Sequence, residues 1–246
     1  MRVDATAVQL RPRPMFEAAD LGVRLVQASA GDLVRCALPV YAVVALAALA
    51  LHPVASWLPV LALWWAKPWL DRTLLFVLSR SMFRQRSHWA DLWAARRSVW
   101  WQGLLPSWTT RRLSLWRAFT QPAVQLEGLE GRALARRCAQ LRQGHQGTAL
   151  GVAWACVHLE YALLLGLPAL LLWLVPGGAS FAPFEWLFGS SDQAGSLLFS
   201  ACYVLTVGLI EPFYVGAGFA MYINRRVELE AWDVEQALRH AFAPAA

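Results

Sequence analysis

Four stretches of the chain are apolar over a length that suits a membrane crossing, for which about 20 residues are needed. The first runs from Leu33 to Leu51 and reads VRCALPVYAVVALAALAL after Leu33. The second begins at Val54 and reads VASWLPVLALWWAKPWLDRTLLFVLS. Its clean run, Val54 to Ala66, covers 13 residues, and Lys67, Asp71 and Arg72 interrupt it before Thr73–Ser79 resumes. We read it as a full span, with a membrane hairpin or a broken helix as the alternative. The third stretch covers Gly147 to Val175 and the fourth Gly195 to Ile223.

Between and after these runs the period changes to that of amphipathic helices. Ser87 reads as an N-cap, and from there Trp89, Leu92, Trp93, Arg96, Trp100 and Leu104 fall on one helical stripe, with Arg97 and Trp101 at its margin. Tryptophan beside arginine suits the lipid headgroup layer, so this helix is expected to lie on the membrane surface. Pro106 and Thr109-Thr110 end it. A second helix is expected to start at Pro122, a good first-turn residue. Leu126, Leu129, Ala133, Leu134, Cys138 and Leu141 form its apolar side, and Arg132, Arg136, Arg137 and Arg142 the rest. In the tail, Val227, Ala231, Val234, Leu238 and Phe242 recur at helical spacing, with Glu228, Glu230, Asp233 and Glu235 on the other sides. That acidic face is expected to dock on the arginine-rich loop or on a partner protein.

The resulting organisation is one membrane domain, 1–246. It comprises an N-terminal segment (1–32), two spans (33–79), an Arg/Trp-rich loop (80–146), two further spans (147–223) and an amphipathic tail (224–246). The fold class is all-α: an integral membrane protein with four transmembrane helices plus amphipathic cytoplasmic or interfacial helices. Composition agrees, because 58% of residues are hydrophobic and 15% charged, against about 45–50% and about 25% in soluble chains. A disordered chain, a collagen-like chain and a secreted disulfide scaffold are excluded.

Charge adds the orientation. Lys67 is the only lysine among 22 basic residues. Five arginines lie at or before Arg35, twelve between Arg80 and Arg142, and three in the tail, while His52–Ser56 and Pro176–Ala194 hold none. Basic residues accumulate in cytoplasmic segments, so both termini are expected in the cytoplasm. Without the second span, the twelve-arginine loop would lie outside. The first 30 residues have no early apolar core, so the first span reads as an uncleaved signal-anchor. The basic residues flank spans, and no nucleic-acid-binding signature occurs; we expect no nucleic-acid partner. The spacings of the four cysteines match no metal site, and no cofactor is expected.

Ionisable residues inside a span are costly and default to a functional hypothesis. Here they are Lys67, Asp71 and Arg72, then His158 and Glu160, then Glu211. At about 1.5 Å per residue, Lys67 and Glu211 each lie roughly 18 Å from the inner ends of their spans, and Glu160 roughly 20 Å. One lysine opposite two carboxylates would leave one carboxylate needing a proton or a second partner such as Arg72 or His158. Pro212, with Gly208, Gly216 and Gly218 nearby, is expected to kink the fourth span and permit close helix approach. Arg96, Arg97, Arg111, Arg112, Arg225, Arg226, Glu230 and Asp233 are candidate lipid or partner contacts. No phosphate loop, zinc motif or nucleophile elbow occurs, so the chain reads as a non-enzyme.

Three groups of residues carry a resemblance. They are Trp64-Trp65-Ala66-Lys67-Pro68 with Asp71-Arg72 and Ser79-Arg80; Arg111-Arg112-Leu113-Ser114 with Arg117-Ala118-Phe119 and Gln125-Leu126-Glu127-Gly128; and Glu211-Pro212-Phe213-Tyr214 through Tyr222, Asn224-Arg225-Arg226, Glu230, Trp232-Asp233 and Glu235. Over roughly residues 60 to 240 the chain resembles a family of uncharacterised bacterial inner-membrane proteins, often encoded beside a MoxR-type ATPase, a von Willebrand-type domain protein and a transglutaminase-like membrane protein. Its end also resembles the membrane domain attached to some glycerophosphodiester phosphodiesterases, but these residues include no phosphodiesterase catalytic domain. The resemblance implies a component of an ATPase-associated cell-envelope system in the bacterial inner membrane. It implies no reaction. The expected function is therefore a scaffold or assembly subunit with membrane or cytoplasmic partners, possible partners including a MoxR-type ATPase system. The rival is a small transporter or proton-coupled module using Lys67, Glu160 and Glu211, and a lipid-modifying enzyme comes third.

Overall fold

A computed structural model describes residues 12–102, 106, 108–109, 114–174 and 193–230, and among them every regular element is helical. Helix α1, Met15–Ala28, arises from a stripe of Met15, Ala18, Ala19, Gly22, Leu25 and Val26, all buried. The sequence reading treated this region only as an N-terminal segment. Ser29 breaks the chain away from α1, its hydroxyl donating to the Leu25 carbonyl at 2.6 Å, and α2, Ala30–Leu49, follows.

Helix α3 spans Leu58–Met82 without interruption and includes Pro68. The hairpin and broken-helix alternatives are thus overturned. The charges that interrupt its apolar run do not interrupt the helix, because Lys67, Asp71 and Arg72 are all buried against protein. The collar comes next. It consists of α4 (Trp89–Ala94), a π-helical turn (Arg97–Trp101), α5 (Arg117–Gln125) and α6 (Gly131–Arg142). Finally α7, Gln146–Trp173, and α8, Gln193–Glu230, complete the described chain.

Three of these helices are long and apolar enough to cross a membrane: α2, the Gln146–Leu171 part of α7, and α8. At 38 residues α8 is about 57 Å long. The fourth apolar stretch and the start of the tail are therefore one helix. The remainder of the tail, including Asp233 and Glu235, lies outside the described residues.

Helix α8 is the axis on which α1, α2, α3, α5 and α7 pack. Its glycines make this possible. A Cβ on Gly22 of α1 would collide with the Gly216 backbone, and one on Gly218 would meet the Ala118 backbone of α5 at 2.5 Å. Gly208 leaves room for the Tyr41 ring of α2, whose hydroxyl donates to the Val204 carbonyl. Pro212 sits within an unbroken α8. Helix α7 packs against α8 and leaves a gap towards α3.

The collar corrects several expectations. The N-cap of α4 is His88, whose backbone N–H donates to Asp91 Oδ2 at 3.0 Å. Ser87 is instead buried, its N–H donating to Asp32 at 3.1 Å and its carbonyl accepting from Cys36 Sγ. The tryptophan stripe is split by the π-helical turn rather than carried on one helix. Trp89 and Trp93 are exposed, whereas half-buried Trp100 donates its indole N–H to Thr73 at 3.0 Å. Pro122 lies inside α5 rather than at a start. The predicted second helix is two helices, separated at Gly128, whose φ of 64° is open chiefly to glycine.

The two ends of the bundle differ. At one end, His52 in the α2–α3 turn hydrogen-bonds Ser196 near the start of α8 at 2.9 Å. The collar, α1 and the end of α8 gather at the other. There Asn224 exchanges two hydrogen bonds with the Arg13 backbone, at 2.8 and 2.9 Å.

Candidate functional site

Five charged side chains from four helices form one alternating chain. Glu160 of α7 meets Lys67 Nζ of α3 at 2.7 Å, and the same Nζ meets Glu211 of α8 at 2.7 Å. The other oxygen of Glu211 meets Arg117 Nη2 of α5 at 2.6 Å, and Arg117 Nε lies 2.9 Å from Asp71 Oδ2, back on α3. Lys67 and Asp71 are four residues apart and share a helix face; Glu211 and Arg117 fill the space between their charges. Each ion pair along the chain joins opposite signs, while the carboxyl groups of Asp71 and Glu211 also lie within hydrogen-bonding reach of each other.

The order carboxylate, ammonium, carboxylate, guanidinium, carboxylate sums to one excess negative charge when all five are ionised. Glu211 and Asp71 are the most deeply buried members. Asp71 is ion-paired, yet neither of its oxygens accepts an aligned hydrogen bond. Glu160, at the opposite end, borders a groove of about 400 Å³ between α3, α7 and α8, walled by Lys67, Glu211, Tyr203 and Tyr214 and by apolar Val60, Trp64 and Leu164. On the far side, Glu211 also borders an apolar cavity of about 130 Å³ beside Tyr41, Gly208 and Pro212. Glu160, Lys67, Glu211 and Arg117 thus all border the groove, and Asp71 alone of the five is set back from it.

Sequence reasoning brought Lys67, Glu160 and Glu211 to one level, and the structure brings them into contact. The second cation is neither Arg72 nor His158. His158 points outward, its ring 3.7 Å from that of Trp154 and its Nδ1 2.8 Å from the Trp154 carbonyl. Arg72 is buried with its guanidinium donating to the Gln102 carbonyl, away from Glu211. The missed partner is Arg117. A usable signal existed, since no acidic residue occurs between Asp91 and Glu127 and the arginines there have no local partner. Arg117 reaches the chain because α5 packs tightly on Gly218, and its guanidinium lies 5.4 Å from the Tyr214 ring centre. Burial disfavours the Arg117 cation, but Asp71 and Glu211 outweigh it and hold its pKa above the ordinary arginine value. Arg117 is a permanent charge here.

Along α8 the charge chain lies near the collar. Gly216 and Gly218, where α1 and α5 touch α8, follow Glu211 by five and seven residues, about 8 and 11 Å along the axis. The charge chain therefore sits close beneath the collar.

The candidate partner contacts are placed differently from one another. Arg96 lies over Trp93, 5.2 Å from its ring centre, and Arg97 is exposed at the start of the π-helical turn. Arg225, Arg226 and Glu230 are engaged within the molecule. Arg226 pairs with Glu230 at 2.7 Å, and Arg137 of α6 joins Glu230 to Glu127. Tyr222 donates to Glu127 at 2.5 Å. Arg225 pairs with Glu228 at 2.8 Å, and His145 approaches Glu228 at 3.3 Å. Burial works to raise the Glu230 pKa, but hydrogen bonds from Arg226 and Arg137 overcome it and hold the carboxyl below its ordinary value. Arg111, Arg112 and Asp233 lie outside the described residues. None of the four cysteines forms a disulfide, and among the described residues no group of three His, Cys, Asp or Glu could hold a metal ion.

The charge chain and its groove define a helical protein with membrane-length apolar helices and a polar site among them. Compared with protein-family models, curated proteins and solved structures, the chain matches none.

Proposed function

We propose that this is a four-span inner-membrane protein in which the chain from Glu160 to Asp71 is a working proton-coupled site rather than a set of structural pairs. The observation that carries this reading is the groove at Glu160. Pairs that only fix helix register sit in closed interfaces, whereas the Lys67–Glu160 pair bridges a gap between α3 and α7 of about 400 Å³. A chain with one negative charge too many in a low-dielectric setting is neutralised by taking up one proton or one small cation. Glu160 is the member through which it would enter.

The four-span reading is supported by α3, which leaves the His52–Ser196 end of the bundle and reaches the collar over about 37 Å. Its polar residues face protein. The arginine distribution favours a cytoplasmic collar with both termini on that side, in a bacterial inner membrane. Of the acidic tail, Glu228 and Glu230 are paired within the molecule with Arg225, Arg226 and Arg137, while Asp233 and Glu235 lie outside the described residues.

The test is an infrared pH titration of the reconstituted protein. A carboxyl band that titrates in the wild type should shift or vanish in Glu160→Gln and Glu211→Gln, with both variants folded and abundant. An unchanged spectrum, or loss of abundance as the sole effect, would return the charges to a structural role and leave the scaffold reading in place.

A further inference from the structure

A cavity of about 370 Å³ lies at the collar end of the bundle, where α1 breaks into α2 and α3 runs out into the loop before α4. Arg35 of α2 and Arg84 and Arg86 of the loop line it, against one carboxylate, Asp32. Its described lining thus carries two positive charges in excess. Arg84 and Arg86 are exposed, and no carboxylate among the described residues pairs with either. Arg35 is largely exposed too, its Nη1 4.0 Å from Asp32 Oδ1, the outer limit of an ion pair. By contrast, Arg13, Arg24, Arg80, Arg137, Arg225 and Arg226 each pair with a carboxylate at 2.7–3.2 Å.

The walls are fixed. Asp32 Oδ2 accepts from the Ser87 N–H at 3.1 Å, which ties the start of α2 to the loop. Arg80 Nη2 donates to the Arg86 carbonyl at 3.2 Å. Helix α3 closes with the Gln85 N–H donating to the Arg80 carbonyl at 3.1 Å and the Arg84 N–H to the Ser81 carbonyl at 3.0 Å. These two bonds put Arg84, at φ 54°, in the left-handed position beyond a helix end that ordinarily takes glycine. A strained backbone of this kind points to a use for the side chain it carries. Ser81, in the same wall, has a buried hydroxyl without a hydrogen-bond partner.

We propose that this pocket seats the headgroup of an anionic phospholipid. Guanidiniums bind phosphate oxygens through charge-assisted hydrogen bonds, and a lining two charges in excess favours a headgroup that carries no cation of its own. The residues next to the pocket favour a lipid over a free anion. Leu38, one turn beyond Arg35 on α2, and Leu70 and Leu74, on the Ser81 face of α3, line the apolar cavity beside Tyr41. Val34 and Leu38 are exposed, a surface along which an acyl chain can lie. The inference rests on the four-span reading, which sets the start of α2 and the end of α3 at one face of the bilayer, where anionic lipid attracts basic residues. It makes no use of the charge chain.

The experiment uses the full chain in detergent with three probes: short-chain phosphatidylglycerol, phosphatidylcholine of the same chains, and inorganic phosphate, each against sodium chloride of equal ionic strength. Phosphatidylglycerol alone should raise the unfolding temperature saturably. Arg84→Gly should weaken that binding about tenfold, the loss of one charge-assisted contact. Its unliganded unfolding temperature should not fall, because glycine suits the left-handed position. Arg86→Gln should weaken binding similarly without touching that turn. Arg97→Gln removes an equal charge from the exposed π-helical turn and should bind as the wild type does. The proposal is overturned if phosphatidylglycerol does no more than phosphatidylcholine, if inorganic phosphate matches it, or if Arg97→Gln weakens binding as much as the two pocket variants. The number of crossings is read independently, by which ends of α3 react with an impermeant reagent, so failure here and failure of the four-span reading give different results.

Discussion

Lys67 holds two carboxylates at once, Glu160 and Glu211, each at 2.7 Å. Its removal is therefore felt twice. Breaking a buried pair leaves an uncompensated charge and costs about 3–5 kcal/mol, more than replacing both partners does. Lys67→Met should accordingly destabilise the protein by roughly that amount, whereas Lys67→Met with Glu211→Gln should recover much of it. In the double variant Arg117 still neutralises Asp71, and Glu160 can turn into the groove. Thermal unfolding of the two purified variants compares them directly, and equal losses would show that Lys67 does not hold the two carboxylates as a unit. The logic behind Lys67, Glu160 and Glu211 was legible in the sequence because helical rise converts residue number into depth. Arg117 was not. Its contribution depends on a loop helix folding back against Gly218, and no periodicity in one segment encodes its contact with another. His158 shows the converse error: depth was computable but azimuth was not, and the side chain faces outward.

Helix α1 is tied to α8 by shape and by polar contacts, and each makes a prediction. Gly22 and Gly216 touch backbone to backbone. Gly22→Ala must push the two helices apart, at a cost of about 1–3 kcal/mol for overpacking. Hydrogen exchange should then rise in α1 while α2 and α3 keep their protection; unaltered exchange in α1 would sink the argument. Helix α6 is tied to the end of α8 through Glu230. A carboxyl whose folded pKa is depressed contributes stability above its unfolded pKa and loses it as pH falls through the folded value. Arg137 and Arg226 hold Glu230 in that state against the pull of burial. Protection of α6 should thus fall on acidification below about pH 4.5, and Glu230→Gln should weaken α6 docking near neutral pH and flatten that dependence. Among the elements, those with a long run or a clean stripe were readable: α2, α7, α8 and the apolar side of α6. The stripe of α1 was present too, but it sits ahead of the first span where charged residues draw the eye. The split at Gly128 went unseen because Pro122 is equally plausible at a helix start and within a first long turn. Tertiary packing of α5 against α8 decided between them.

For the molecule as a whole, the decisive question is how many times it crosses the bilayer. Composition alone selects α2, α7 and α8, since the charges of α3 count against it. Lys67, Asp71 and Arg72 are buried against protein, so their charges do not weigh against the proposed crossing by α3. Two arguments favour the proposed four crossings. Helix α3 is about 37 Å long, enough for a hydrocarbon core of about 30 Å. Its two ends also lie at opposite ends of the bundle, one beside the His52–Ser196 contact and the other at the collar. In a cysteine-free background, Pro53→Cys should react with an impermeant maleimide added to intact cells, and Gln85→Cys only after lysis. If α3 turned back instead, both positions would lie on the same side and label alike. With four crossings, the collar and the Glu230 network lie on one side of the bilayer, the proposed cytoplasmic side, next to the charge chain. Differential labelling at Pro53 and Gln85 would thereby orient the charge chain and the collar.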